Sequence, residues 1–305
     1  VSGPVVAIVG GGPAGLRLAS LLAAGGARPV VYDRFSPGGE LMSLGVLEGV
    51  DGRPAVLGAD LATDLLEAAL DAGVEVKFEE VTELRRAGDG WSLAADGGEA
   101  RADAVVLATG GEHGEVPVPH RAELVGQGIS FCAGCDGPMF AGRPVAVIGD
   151  GPWDAGDAAL LGEHAAAVHL VVARPEAAAG DGVVVHAGAR PTAILEEGGA
   201  VRGLRLETAA GAQLEIEAAG VFVSAATRPR AALAGGLAGL DGEGRIEVDA
   251  GLRTAAPGLY AVGDVRAGAA GGVVAALRDA EQAASTILAD AGVPDPGGAE
   301  TKGSA

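Results

Sequence analysis

Val5-Val6-Ala7-Ile8-Val9-Gly10-Gly11-Gly12-Pro13-Ala14-Gly15 is the stretch that decides the fold of this chain. Its apolar run has the length and composition of a buried strand. A Gly10-x-Gly12-x-x-Gly15 turn follows, then helical apolar spacing over residues 16–24, then a second strand over Pro29-Val30-Val31-Tyr32-Asp33. This is a βαβ unit. The glycines permit a tight turn and a close approach of backbone to a pyrophosphate, and the helix start offers N–H donors and the positive end of a dipole. Asp33 ends the second strand about 20 residues on, placed to accept from a ribose hydroxyl. Gly10, Gly12, Pro13, Ala14, Gly15 and Asp33 are therefore candidate cofactor contacts.

A second unit of the same kind opens at Val145-Ala146-Val147-Ile148. The turn Gly149-Asp150-Gly151-Pro152-Trp153 follows, then a helix expected over 155–166 and a strand over 168–172. The third small position of this turn is Asp154. A carboxylate there adds bulk and repulsion where a pyrophosphate would lie.

The remaining pattern fits two such halves. Residues 60–72 read as an amphipathic helix with Leu61, Leu65, Leu66 and Leu70 on one face, and 74–78 alternate as a strand. Strands are expected near Trp91-Ser92-Leu93, Ala104-Val105-Val106-Leu107, 183–185, 203–206, 220–224 and 259–262, and a long helix over 273–289. Residues 114–119 carry two prolines and read as a linker, and the Gly-rich stretch 227–241 as a second crossover. The polar, Gly-rich tail from Pro294 is expected to be disordered. The fold class is α/β, with two Rossmann-like, three-layer nucleotide-binding domains, the second inserted into the first. Residues 1–113 and 244–305 form the outer, cofactor-binding domain, and 114–243 the inserted one.

Net charge is 21 − 41 = −20. So acidic a chain is a poor ligand for nucleic acid or an anionic membrane surface. No run has the length and apolarity of a membrane span or the layout of a secretion signal. The expected location is the cytoplasm.

Cys132-Ala133-Gly134-Cys135-Asp136-Gly137 holds the only two cysteines of the chain. In a reducing compartment a CxxC pair points to redox or metal chemistry rather than a structural bridge. At a helix start its sulfurs can bridge, and the dipole lowers one thiol pKa. Asp136 is a candidate general acid for a leaving thiolate. Zinc would need two further ligands from His113, His120, His164, His169 and His186, and no HxxxH-type pair is present, so no metal is expected.

These motifs resemble the low-molecular-weight thioredoxin reductase family. Gly38-Gly39-Glu40-Leu41 is similar to its GGQL segment and Ala108-Thr109-Gly110 to its ATG turn. Cys132 to Gly137 matches CxxCDG, and Gly258 to Asp264 matches GxxAxGD. The resemblance implies bound FAD and a homodimer. It adds Gly39, Glu40, Leu41, Val81, Ala108, Thr109, Gly110, Gly263, Asp264, Gly272 and Val273 to the cofactor contacts, the last two where the family carries Arg-Gln-Ala. It also implies that Cys135 faces the flavin and Cys132 attacks the substrate disulfide.

NADPH-dependent members clamp the 2′-phosphate with two or three arginines. Here the strand reads His169-Leu170-Val171-Val172-Ala173-Arg174-Pro175, with one. The expectation is a FAD-dependent, thioredoxin-reductase-like dithiol–disulfide oxidoreductase that does not use NADPH. Its partner is a thioredoxin-like protein or a small-molecule disulfide or dithiol, with ferredoxin as a candidate donor. Three alternatives stand beside it: an ordinary NADPH-dependent thioredoxin reductase, a flavin-dependent small-molecule dithiol oxidase, and a redox sensor without turnover.

Overall fold

The computed structural model describes residues 3–35, 37–44, 46–112, 117–149, 154–176, 180–224 and 228–293. Its helices are α1 (Pro13–Ala24), α2 (Gly58–Asp71), α3 (Ala133–Asp136), α4 (Asp154–Gly162) and α5 (Gly272–Asp290). The chain divides into two compact units. One comprises Val1–Met42, Val46–Glu112 and Pro229–Ala305, the other Ser43–Gly45 and His113–Arg228.

The first unit is built on a five-stranded parallel sheet in the order 259–261, 104–107, 5–9, 28–32, 75–77. Successive strand residues face opposite sides, and the Val5–Val9 strand shows the consequence. Val6 and Ile8 pack with α1, α2 and α5 on one face. Ala7 and Val9 pack on the other against Leu84, Trp91 and Leu93 of a three-stranded antiparallel sheet (Val81–Ala87, Gly90–Ala95, Gly98–Ala102). The second covering layer is thus a sheet, so both faces of the parallel strands are dry and their sequences read as unbroken apolar runs. Each fully buried Val, Leu or Ile here contributes roughly 1.5–3 kcal/mol.

The second unit repeats the plan. Its parallel sheet runs 129–130, 220–224, 144–149, 167–172, 183–187. Val145 and Val147 face α4, while Ala146 and Ile148 face an antiparallel sheet of Arg190–Glu197, Ala200–Glu207 and Gln213–Glu217.

Three expectations are corrected and one element is added. The two units part at 228/229, within the 227–241 stretch read as a crossover and ahead of the domain bound set at 243/244, and Ala231 and Ala234 are buried in the first unit's core. Leu70 is 52% exposed, so the buried stripe of α2 is Leu61, Ala62, Leu65 and Ala69. The helix expected over 155–166 begins at Asp154 and ends at Gly162. A hairpin over Val46–Val50 and Arg53–Leu57 was not expected. The tail from Pro294 and most of the 114–119 linker lie outside the described residues.

Candidate functional site

The first loop and its neighbours converge at the carboxyl ends of the first unit's sheet. Gly10 has φ +112°, and a Cβ there would be driven into the Ala108 carbonyl oxygen. Only glycine fits. Gly15 is likewise closed by the Gly10 carbonyl, whereas a Cβ on Gly12 would meet nothing within 4 Å. Gly12 therefore leaves an open approach beside the head of α1, which has Pro13 in its first turn and no side-chain cap. Helix-start N–H groups left without a cap suit a pyrophosphate.

Asp33 anchors the far side of the loop. Its carboxylate accepts the Gly11 N–H at 2.8 Å and the Phe35 N–H at 3.0 Å. Gly39 (φ +54°) brings the 39–43 turn against the Gly12 Cα, and the Gly38 N–H donates to the Gly11 carbonyl at 2.6 Å. The Thr109 hydroxyl donates to the Arg230 carbonyl at 2.7 Å, and Gly110 accepts the Arg230 N–H. Leu41 and Val81 are core residues. Glu40 is exposed, and Gly272 and Val273 are the first two residues of α5.

Gly263 (φ +73°) would set a Cβ 3.4 Å from Ala14, placing the Gly263–Val265 turn against the head of α1. Asp264 follows. Burial pushes its carboxyl above the usual range; Arg245 and the Gly272 N–H act in the opposite direction. Its Oδ1 is buried with no hydrogen-bond partner. A buried acceptor left open is costly unless something supplies a donor. A flavin dinucleotide offers ribityl hydroxyls, and the open glycine and uncapped helix start suit its pyrophosphate. The residues present fit FAD.

The sequence did not reveal what fixes this turn. Asp279 of α5 accepts the Gly263 N–H at 2.8 Å and two bonds from Arg266, both at 2.6 Å. Arg245 donates to the Asp264 carbonyl at 3.3 Å.

In the second unit, Cys132 is disulfide-bonded, and Cys135 is the only other cysteine. Cys132 immediately precedes the single-turn helix α3, with the Asp136 N–H on its carbonyl at 3.2 Å. Ser130, 6% exposed, accepts the Cys132 N–H at 3.0 Å and donates to its carbonyl at 3.2 Å. Ser130 is a positioning residue that sequence reasoning missed. Among the described residues no three His, Cys, Asp or Glu are grouped to hold a metal. His169 and His186 pair across adjacent strands at 3.0 Å, both held below the usual histidine range by burial.

Residues 150–153 of the second loop lie outside the described residues. Asp154, next in sequence, is 1% exposed and lies on Gly149, where a Cβ would collide with its carboxylate. Arg174 grips both its oxygens, Nη1 to Oδ2 at 2.6 Å and Nη2 to Oδ1 at 2.9 Å.

No helix among the described residues is long and apolar enough to cross a membrane. Residues 4–284 match the family model described as pyridine nucleotide-disulphide oxidoreductase. The chain is 29% identical over 293 residues to a thioredoxin reductase of Bacillus subtilis, covering 92% of this chain and 93% of that one. It is 33% identical over 273 residues to the bifunctional thioredoxin reductase/thioredoxin of Mycobacterium leprae, covering 85% of this chain and 60% of that one. The solved thioredoxin reductase of Lactococcus lactis, in its FR conformation, superposes with a TM-score of 0.86 at 26% identity, over 94% of this chain and 99% of that one.

Proposed function

The chain belongs to the pyridine nucleotide-disulphide oxidoreductase family and is a thioredoxin-reductase-like, flavin-dependent disulfide oxidoreductase with FAD as cofactor; we propose that it draws its electrons from a donor other than NADPH and exchanges them through Cys132 and Cys135 with an external disulfide or dithiol. The observation that carries the proposal is Asp154, buried on Gly149 with the remaining arginine, Arg174, committed to it. A two-pronged phosphate contact needs a guanidinium whose fork is open. Ferredoxin is the candidate donor, a thioredoxin-like protein the candidate acceptor, and the expected assembly a homodimer.

FAD, when bound, supplies two electrons at a time to the Cys132–Cys135 disulfide. Gly10, Gly12, Gly15, Asp33, Gly263 and Asp264 would hold it. The dithiol then works by exchange. The Cys132 thiolate attacks one sulfur of the external disulfide, forming a mixed disulfide and expelling the first thiolate, with Asp136 as proton donor. Cys135 then attacks Cys132 in the mixed disulfide, expelling the second thiolate and closing Cys132–Cys135. Ser130 holds the Cys132 backbone through both steps. One external disulfide becomes two thiols, and one protein dithiol becomes a disulfide.

The test is anaerobic mixing of FAD-loaded protein with excess NADPH or NADH, followed by flavin absorbance. Neither should bleach the flavin, while dithionite does. Rapid bleaching by NADPH would return the chain to the ordinary NADPH-dependent reading.

A further inference from the structure

The scaffold behind the altered second loop is intact. Its central strand pairs in unbroken parallel register from Pro144↔Ala167 to Gly149↔Val172 on one side, and reaches Gly149↔Ser224 on the other. The head of α4 and a guanidinium therefore stand at the carboxyl edge of the sheet, where such folds bind ligands. Asp154 is what fills that place. It is the first residue of α4, at the positive end of the helix dipole. Its two oxygens take the Arg174 fork in the geometry with which arginine holds a phosphate. A ligand phosphate would use the same guanidinium and the same helix end. Arg174 itself stays 41% exposed, so solvent reaches it from outside while Asp154 closes it from within.

We propose that Asp154 is the specificity-determining residue at the head of α4, a buried anion that takes up the Arg174 fork and so excludes pyridine dinucleotides. The inference rests on the reading that NADPH is not the donor, and adds that one carboxylate is the reason. Nearby Asp157 reports the same crowding of negative charge. Burial chiefly, and Asp154 in addition, push its carboxyl above the usual range, against a hydrogen bond to Ser224.

The experiment uses the full-length, FAD-loaded protein as wild type, Asp154→Ala, Asp154→Asn and Asp154→Ala/Arg174→Ala. Each is titrated with NADPH and with NADH, and binding is read from nicotinamide fluorescence, independently of turnover. Asp154→Ala should bind at least about a hundredfold more tightly than wild type, the scale of two hydrogen bonds to a charged group. Asp154→Asn keeps the bulk without the charge and should gain less. The double variant should lose the gain, and added salt should weaken it. An Asp154→Ala protein that holds FAD yet binds no better than wild type overturns this inference alone, provided wild type binds neither nucleotide. A wild type that binds NADPH overturns the exclusion whatever Asp154→Ala gains, and overturns the donor reading with it only if NADPH also bleaches the flavin. Should Asp154→Ala fail to fold, Asp154→Asn decides: no gain in binding counts against the inference.

Discussion

Asp279→Ala should be among the most damaging single changes in the first unit, although residue 279 lies in the middle of α5. Asp279 is 7% exposed and accepts three hydrogen bonds, one from the Gly263 N–H and two from Arg266, whose side chain is itself only 16% exposed. Truncation leaves a mostly buried guanidinium with no counter-charge and frees the turn that carries Asp264. Removing one partner of a buried pair costs about 3–5 kcal/mol. For a unit of this size each kcal/mol lowers Tm by roughly 2–4 °C, so the drop should be about 6–20 °C. The assay is thermal unfolding at fixed FAD concentration, followed by release of flavin fluorescence, because bound cofactor shifts Tm by mass action. Asp279→Asn keeps an acceptor for Gly263 but loses the charge, and should fall between, at about 1.5–3 kcal/mol. Arg266→Met with Asp279→Leu replaces the pair by apolar packing and should recover most of the stability. It should not recover FAD retention, since Gly263 then has no anchor. A Tm within about 2 °C of wild type for Asp279→Ala would refute the argument that this pair holds the turn.

Two further outcomes follow from the same unit. The folded-state pKa of Asp264 is raised by burial, so its ionisation destabilises the FAD-free fold. That penalty is absent below the unfolded-state pKa, grows as pH rises to the folded value, and stays constant above it. Apo Asp264→Asn should therefore exceed wild type in urea midpoint at pH 7, with the difference fading towards pH 4 and below; a less stable variant at pH 7 would contradict this. Gly10→Ala, with φ +112° and the Ala108 carbonyl in its way, should yield no FAD-bearing protein, whereas Gly12→Ala should fold within about 1 kcal/mol of wild type and lose FAD affinity alone. Equal FAD content in the two variants would show that the cradle has been misread.

What the sequence made legible follows the physics of burial. The parallel strands are dry on both faces, so Val5–Val9 and Val145–Ile148 stand out as apolar runs. The antiparallel layers have one wet face, so Thr82, Glu83, Arg85 and Arg86 break the run in Val81–Ala87 and hide its length. The hairpin over 46–57 had a readable signal. Asp51-Gly52 takes φ of +53° and +73°, as the commonest two-residue hairpin turn requires. The glycines of the first loop were legible because backbone closeness selects glycine by type. Arg245, Arg266 and Asp279 were not, because a hydrogen bond between distant residues leaves no mark on either one's neighbours in sequence, and Ser130 was passed over although its bonds to Cys132 are local.

The second loop shows the limit most clearly. In sequence it carries two separate losses, an acid at Asp154 where a small residue belongs and a single arginine at Arg174. In the structure they are one change. A carboxylate at 1% exposure is costly to bury without a partner, and Arg174 is its partner. Losing Arg174 alone therefore leaves a buried carboxylate without its two-pronged donor, while losing Asp154 alone leaves a guanidinium that is 41% exposed to water. The fold thus depends on the arginine for as long as the acid is present, and the acid is the member that can be removed cheaply.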